Sequence, residues 1–480
     1  MTLSSGGKGE SAVRPPPDAL LTKIASYVHN YKVNSDLAYD TANVCMFDAL
    51  GCGLEGLRFE NCERLLGPVV EGTVVPNGTK VPGTKHVLDP IRGAWSVGTM
   101  IRWLDFNDCF LAAEWGHPSD NLGAIWAAAD YVSRVKVHDV LTAMIKAHEI
   151  QGCLALLNSY NAVGLDHVVL VKVASTAVAS QLLGLSESQT VDAISQAWVD
   201  GQSLRTYRHA PNTGSRKSWA AGDACSRALN LALLVKRGEG GIPTVLTAKR
   251  WGFYDVLFKG NEFQFQRDFG SYIMENVLFK ISFPAEFHAQ TAAEAALILH
   301  GKLKSMGKTS DDVESVKIRT QEAAIRIIDK SGPLNNYADR DHCIQYMVAV
   351  PLIFGRLTSQ DYSDEVAADP RIDALRDRIT CVEDTTYTAD YHHPDKRFIS
   401  NALTITLKDG TVLDEVEVHY PVGHKRRRAE GQPLIEAKFV NHAKPHFSPG
   451  RVDELLSLMK DRKKAEAMDV PTFVDLWHKP

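Results

Sequence analysis

From Asp18 to about Arg237, apolar residues recur at helical spacing. Ala-rich segments at 121–132, 140–158, 189–199 and 218–236 are separated by short Gly, Pro, Ser or Asp breaks. Many of these segments are apolar on more than one face. Helices with such a wide apolar arc are buried by other helices, so this half predicts an all-α bundle rather than helices laid on a sheet. After about residue 275 the period changes. Val316, Ile318 and Thr320 alternate with Lys317 and Arg319, and Leu403, Ile405 and Leu407 alternate with Thr404 and Thr406 ahead of Lys408-Asp409-Gly410-Thr411. Both read as strands, the second ending in a hairpin turn. Val416, Val418 and Tyr420, alternating with Glu415, Glu417 and His419, supply the return strand, and the stretch around 452–468 is helical again. The pattern divides the chain into a flexible tail at 1–17, a helical domain at 18–275, a smaller α/β domain at 276–425, and a C-terminal segment at 426–480 that returns to the helical domain.

Composition narrows the function classes. The 480 residues carry 53 Lys+Arg against 58 Asp+Glu, a net charge of −5, with 44% hydrophobic and 23% charged residues. This is ordinary globular composition, with no dominant basic block to suggest nucleic acid or an anionic membrane. An anionic ligand therefore needs a local cationic pocket. Eight cysteines at 45, 52, 62, 109, 153, 225, 343 and 381 are too dispersed for a secreted disulfide framework, and no C-x-x-C pair offers a zinc ribbon or iron–sulfur ligand set. Met1–Pro17 lacks the apolar core of a signal peptide and holds only Lys8 and Arg14 as cations, unlike an Arg-rich mitochondrial presequence. No apolar run approaches the roughly 20 residues of a membrane span. The expected chain is soluble and intracellular, with the cytoplasm ahead of the mitochondrial matrix.

Gly51-Cys52-Gly53-Leu54-Glu55-Gly56 fits the dinucleotide fingerprint G-x-G-x-x-G, but that motif needs a strand before it and a helix after it. Here Ser35 reads as the cap of a helix through Leu37, Val44, Phe47 and Leu50, ending at the glycines.

The densest polar cluster is Leu104-Asp105-Phe106-Asn107-Asp108, followed by Trp115-Gly116-His117-Pro118-Ser119-Asp120-Asn121. His117 is placed at a helix N-terminus, where the dipole favours the neutral imidazole, a form that can act as a base. Ser119 or Asp120 capping the helix while His117 packs is the alternative. Asp166-His167 precedes an apolar run as an acid/base candidate or as a cap. Arg205, Arg208, His209, Arg216 and Lys217 form a cationic loop, either solvated or partly shielded by the apolar helix that follows. Lys280, flanked by Phe279 and Ile281 near the domain change, can face a cleft or the surface. The segment 332–346, ending Asp339-Arg340-Asp341-His342-Cys343-Ile344-Gln345-Tyr346, either presents polar groups to a ligand or forms a cap held by internal Asp–Arg pairing. Lys425-Arg426-Arg427-Arg428 reads as a solvated basic stretch.

Taken in order, Leu-Asp-Phe-Asn-Asp at 104–108, Gly-His-Pro-Ser-Asp-Asn at 116–121, the loop ending at Lys217, Lys280, and the 339–346 segment resemble the 2-methylcitrate dehydratase (MmgE/PrpD) family. The resemblance runs from about residue 18 to the final helix. It implies a mainly α protein: a large all-helical domain made by both chain ends, an inserted α/β lid domain, a cleft between them, and a homodimer. It implies loss of water from the tricarboxylate 2-methylcitrate to give 2-methyl-cis-aconitate in propionate breakdown, with no cofactor and no metal. Position by position, it implies Asp108, His117, His167, Lys217 and Lys280 as catalytic residues. The histidines form the acid/base pair in either order, Asp108 orients or relays a proton, and the lysines bind carboxylates and steady the enolate. Asp105, Ser119, Arg208, Tyr337 and Arg340 are the implied substrate-binding residues, the family tyrosine matching Tyr337 only across a gap. A cis-aconitate decarboxylase forming itaconate, and a non-catalytic binding or scaffold protein of the same fold, are the competing readings.

Overall fold

The computed structural model describes residues 12–393 and 395–479. Residues 1–11 of the expected tail lie outside the described residues, and 12–17 are exposed and without regular structure up to the helix Ala19–Asn30. The helical half is built around Asp36–Gly56. Ser35 Oγ accepts the Ala38 N–H at 3.1 Å as its cap, and buried residues point in every direction along the helix. The helix runs through Gly51 and Gly53 and ends at Gly56, as anticipated. A Cβ on Gly56 would stand 2.9 Å from the Met100 carbonyl, so the glycines serve close packing against the helix Pro90–Arg102. Among the described residues no strand precedes them, and the segment before them is the helix itself, which removes the dinucleotide reading.

Pro90–Arg102, Leu122–Val132 and Arg216–Lys236 meet through a second set of glycines. A Cβ on Gly98 would lie 2.9 Å from Gly222 Cα, and one on Gly123 2.7 Å from Gly98 N. This contact matters for function because the loop carrying Asp105 leaves the C-terminus of the first helix, the loop carrying His117 enters the second, and Lys217 opens the third. The helices Val137–Leu156 and Val168–Leu182 complete the surroundings of the 104–121 loop.

A second apolar core gathers residues between Phe283 and Leu413. Its sheet has four strands in the order Ile379–Glu383, Val313–Thr320, Asn401–Leu407, Val416–Val418. The strands anticipated at 316–320 and 403–407 pair antiparallel, and the return strand is shorter than expected, ending before Tyr420. Ile379–Glu383 pairs parallel with Val313–Thr320 and was not anticipated. Its alternation covers only five residues at a sheet edge, a weak periodic signal. Helix Gln290–Ser305 packs on this sheet, and Ile344–Phe354 packs on that helix and on Pro370–Arg376. The C-terminal helices Arg428–Ala443, Pro449–Lys460 and Val470–Asp475 return to the first core with Ile435, Phe439, Leu455 and Phe473. The architecture is mainly α, with a small mixed sheet in the second half.

The basic stretch at 425–428 is only half solvated. Lys425 and Arg426 are exposed, whereas Arg427 pairs with Glu294 and Glu430, and Arg428 donates to Thr41 Oγ1 and the carbonyls of Glu275 and Val277. It straps the two cores together. All eight cysteines are free thiols.

A Cβ at Gly222 would run into Thr99 Oγ1 and the Trp95 carbonyl, neither of which can retreat from a helix–helix contact. Gly222→Ala is expected to lower the unfolding free energy by about 1–3 kcal/mol, read as a fall in the denaturant midpoint at unchanged slope.

Candidate active site

The loop after Pro90–Arg102 turns sharply because Asp105 adopts φ +51°, a left-handed conformation uncommon for a residue with a side chain. The turn folds the Asp105 carboxylate back onto Arg102, whose Nη1 donates to Oδ1 at 2.5 Å. Lys280 Nζ donates to the same oxygen and, at 2.7 Å, to the Asp105 carbonyl. His117 Nε2 stands 3.5 Å from Oδ1 and His342 Nε2 3.8 Å from Oδ2. Burial alone would raise the Asp105 pKa. Arg102, Lys280, His117 and His342 outweigh it and hold the carboxyl well below the usual range.

His117 is fixed from its other edge, with Nδ1 2.8 Å from the Asp108 carbonyl. A carbonyl only accepts, so Nδ1 carries the proton and Nε2 presents its lone pair towards Asp105. Burial, then the charge of Arg102, pushes His117 well below the ordinary imidazole value despite Asp105, so the ring is neutral. His117 precedes a short 3-10 turn, Pro118–Asn121, rather than the first turn of an α-helix. Ser119 is held inside this loop: its N–H donates to Asp108 Oδ1 at 3.0 Å and its hydroxyl accepts from Asn107 Nδ2 at 2.8 Å.

The His167 ring lies 5.6 Å from that of His117, centroid to centroid, and both are buried. It sits immediately before the helix Val168–Leu182, between Asp166 Oδ1 at 3.4 Å from Nδ1 and Asp120 Oδ2 at 3.8 Å from Nε2. Burial lowers the His167 pKa while both carboxylates oppose the shift. Neither ring nitrogen has a hydrogen-bond partner, and Asp120 Oδ2 and Arg102 Nε, 3.8 Å apart, are also unpartnered. Unmatched buried polar atoms are costly, and four of them converging on one place mark a site for polar ligand atoms. Arg208 forms a bidentate pair with Asp166, which holds that carboxyl far below its ordinary value despite burial. Arg208 therefore reaches the cluster through Asp166.

Lys217 Nζ donates to Asp341 Oδ1 at 2.5 Å and to His342 Nδ1 at 3.0 Å. Both partners come from the 332–346 segment of the second core, so this polar loop closes the site from above. Burial lowers the Lys217 pKa against the pull of Asp341 and Asp105, and burial with Lys217 brings His342 to about 4. Asp341 also lines a cavity of about 530 Å³ with Trp103, Leu104, Ser215, Tyr337 and Tyr362, at the seam of the two cores. Tyr337 is on that wall, its hydroxyl 3.3 Å from Ser218 Oγ. Arg340 points elsewhere, to the Tyr362 carbonyl at 2.8 Å and Asp364 at 2.7 Å, so the internal Asp–Arg pairing anticipated for this loop is replaced by a contact to the next segment.

The structure thus brings Asp105, Asp108, His117, Ser119, His167, Lys217 and Lys280 together, with Arg208 behind His167, Tyr337 at the entrance and Arg340 outside. It differs from a bare positive pocket, since each of the cations Arg102, Lys217, Lys280 and Arg208 already bears a carboxylate. Arg102 was not singled out in the sequence, where Asp120 stood only as a possible cap and His342 only as part of the 339–346 segment. Lys438 was not singled out either. Its Nζ pairs with Asp48 at 2.8 Å and donates to the carbonyls of Phe106 at 2.9 Å and Lys280 at 2.7 Å, clamping two of the site's segments from the C-terminal helix. Nothing local in the sequence distinguishes it from a surface lysine. Among the described residues, Cys45, Asp108 and His148 are the group of donor side chains close enough together to surround an ion.

Two family models match: the MmgE/PrpD N-terminal domain over residues 22–266 and the MmgE/PrpD C-terminal domain over 283–462. The chain is 66% identical over 476 residues to the "2-methylcitrate dehydratase, mitochondrial" of Yarrowia lipolytica, covering 97% of this chain and 91% of that one. It is 63% identical to the 2-methylcitrate dehydratase of Cupriavidus necator, covering 97% and 98%, and 60% identical to that of Escherichia coli, again 97% and 98%. With both domain models matched in order and these relatives aligned almost end to end, the chain belongs to the MmgE/PrpD family.

Proposed function

We propose that this protein is a hydro-lyase that removes water from 2-methylcitrate to give 2-methyl-cis-aconitate in propionate catabolism, as the names of its relatives say of them. The observation that carries the reading is the pair of buried imidazoles 5.6 Å apart, one with its lone pair towards the Asp105 carboxylate that gathers Arg102 and Lys280, the other between two carboxylates.

In the reaction, Nε2 of His117 takes the proton from the carbon beside a substrate carboxylate, and the electron pair left behind forms the double bond. The C–O bond to the hydroxyl breaks, and His167 protonates the leaving oxygen to water, its imidazolium supported by Asp166 and Asp120 against the burial that lowers its pKa. A proton passing from His117 back to His167 restores the starting state. The substrate is a triple anion. Its carboxylates exchange for those of Asp105 and Asp341 on Arg102, Lys280 and Lys217, so the cations are preorganised by the groups they will release. Charge developing on the enediolate is then met by ammonium and guanidinium groups in a water-poor site, with Arg102 and Lys280 both joined to the His117 edge through Asp105. Asp108 orients His117, Ser119 holds the loop, Arg208 holds Asp166, Tyr337 lines the entry, and Arg340 steadies the closing segment. Side chains alone supply acid, base and charge, which supports a reaction without cofactor or metal. The division at 18–275, 276–425 and 426–480 fits the grouping of the two cores, with the second as a lid. A homodimer in an intracellular compartment, cytoplasm or mitochondrial matrix, completes the reading; no described helix is long and apolar enough to cross a membrane.

Pure enzyme given 2-methylcitrate and cis-aconitate separately is expected to dehydrate the first and release no carbon dioxide from the second. The opposite pattern indicates a decarboxylase. His117→Asn and Lys217→Ala are each expected to lower kcat by at least about 10²-fold, whereas a binding protein would have no turnover to lose.

The pH profile has a definite sign on its alkaline side. Lys217 must be protonated to hold a carboxylate, and its lowered pKa means that the proton is lost sooner than from an exposed lysine as pH rises. Activity is therefore expected to fall below the ordinary lysine value. Lys217→Arg should move that limb to higher pH, since a guanidinium stays charged.

A further inference from the structure

Asp108 meets His117 through its main-chain carbonyl and a second histidine, His148, through its carboxylate. His148 belongs to the helix Val137–Leu156, is fully buried, and has no part in the reaction above. Its Nδ1 lies 2.8 Å from the carbonyl of Met144, one turn earlier in the same helix. That nitrogen must carry a proton, because its partner can only accept. A neutral ring would then turn the Nε2 lone pair on Asp108 Oδ2, only 3.0 Å away. Two acceptors facing each other at hydrogen-bond distance in a site closed to water repel. The apposition is stable with a positive charge between them, and a proton fits the 3.0 Å spacing. Of the other groups facing this pair, the Ser119 N–H donates to Asp108 Oδ1, and Cys45 Sγ lies 3.8 Å from His148 Nε2. Burial and Asp108 push the Cys45 thiol up, so it keeps its own proton.

We propose that His148 is a positioning residue, held as an imidazolium against the Asp108 carboxylate, and that this pair fixes the Asp108 carbonyl on His117 Nδ1 and so keeps the lone pair of His117 on Nε2. The inference rests on the reading of His117 as the base and deepens it: Asp108 holds a proton in place with His148 instead of carrying one to the substrate. The alignment of the base then depends on a helix that never touches the substrate.

Removal of the pairing proton while filling the space, in His148→Phe, is expected to lower kcat roughly 10- to 100-fold through misplacement of His117, with KM within about threefold. His148→Gln, whose amide N–H can donate to Asp108 Oδ2, is expected to recover most of that loss. In His148→Phe, adding Asp108→Asn should cost little more, since the pair acts as one unit. Wild-type kcat in His148→Phe, no recovery in a His148→Gln variant that melts like wild type, or losses that multiply would overturn the proposal. A second measurement needs no folded Phe variant. In wild-type enzyme labelled with ¹⁵N-histidine, the ring absent from His148→Gln should carry protons on both nitrogens. A bare lone-pair nitrogen there, or one equivalent of transition metal per chain lost on His148→Gln, contradicts it. Failure of the wild type to turn over 2-methylcitrate strikes the proposed reaction instead, and leaves the ring protonation as an independent result.

Discussion

The carboxylate of Asp105 is the interaction on which the site depends. It draws a guanidinium from the helix before it, an ammonium from the seam of the two cores, and the edges of two imidazoles from opposite sides. Leaving a guanidinium and an ammonium buried and unpaired would cost several kcal/mol each. With Asp105 between them they are held in place and close together. An enzyme acting on a triple anion needs such groups, and an internal carboxylate holds them in a geometry that a substrate carboxylate can inherit. The left-handed backbone at Asp105 is the local strain that makes this possible.

The remainder of the fold delivers partners to that carboxylate. Glycines 98, 123 and 222 let three helices approach closely enough for their ends to share one small volume. The second core contributes Asp341 and His342 on a single loop, and Lys217 ties that loop to the helical half. From the far end of the chain, Lys438 grips the carbonyls of Phe106 and Lys280, so that the C-terminal return is part of the site's frame. His117 and His167 differ in their surroundings more than in their burial. The free edge of His117 faces the one carboxylate that gathers Arg102 and Lys280, whereas His167 lies between two carboxylates, and the proposed roles of base and acid rest on that asymmetry.

Much of this was legible in the sequence. Wide apolar arcs announced a helical bundle, and alternation at 316–320 and 403–407 announced the sheet, because burial imposes those periods directly. The order of polar motifs led to His117, His167, Lys217 and Lys280. What escaped was whatever depends on contacts distant along the chain. Arg102 looks like an ordinary helix-ending cation, His342 like one polar residue among many, and Lys438 like a surface lysine, until the fold places all three against the same loop. The glycines at 51–56 show the converse: a pattern shared with nucleotide-binding turns arises here from one helix passing tightly over another. Arg340, placed by motif, pairs with Asp364, while the neighbouring Asp341 pairs with Lys217.

The central claim is that substrate carboxylates replace those of Asp105 and Asp341 on the buried cations. A crystal structure with tricarballylate, a tricarboxylate lacking the hydroxyl that leaves, tests it most directly. The account predicts ligand carboxylates on Arg102, Lys280 and Lys217, the Asp105 and Asp341 side chains displaced from them, and a ligand C–H facing Nε2 of His117. A ligand bound elsewhere with the Asp105 contacts intact, or one bound in the crevice out of reach of both imidazoles, would contradict it.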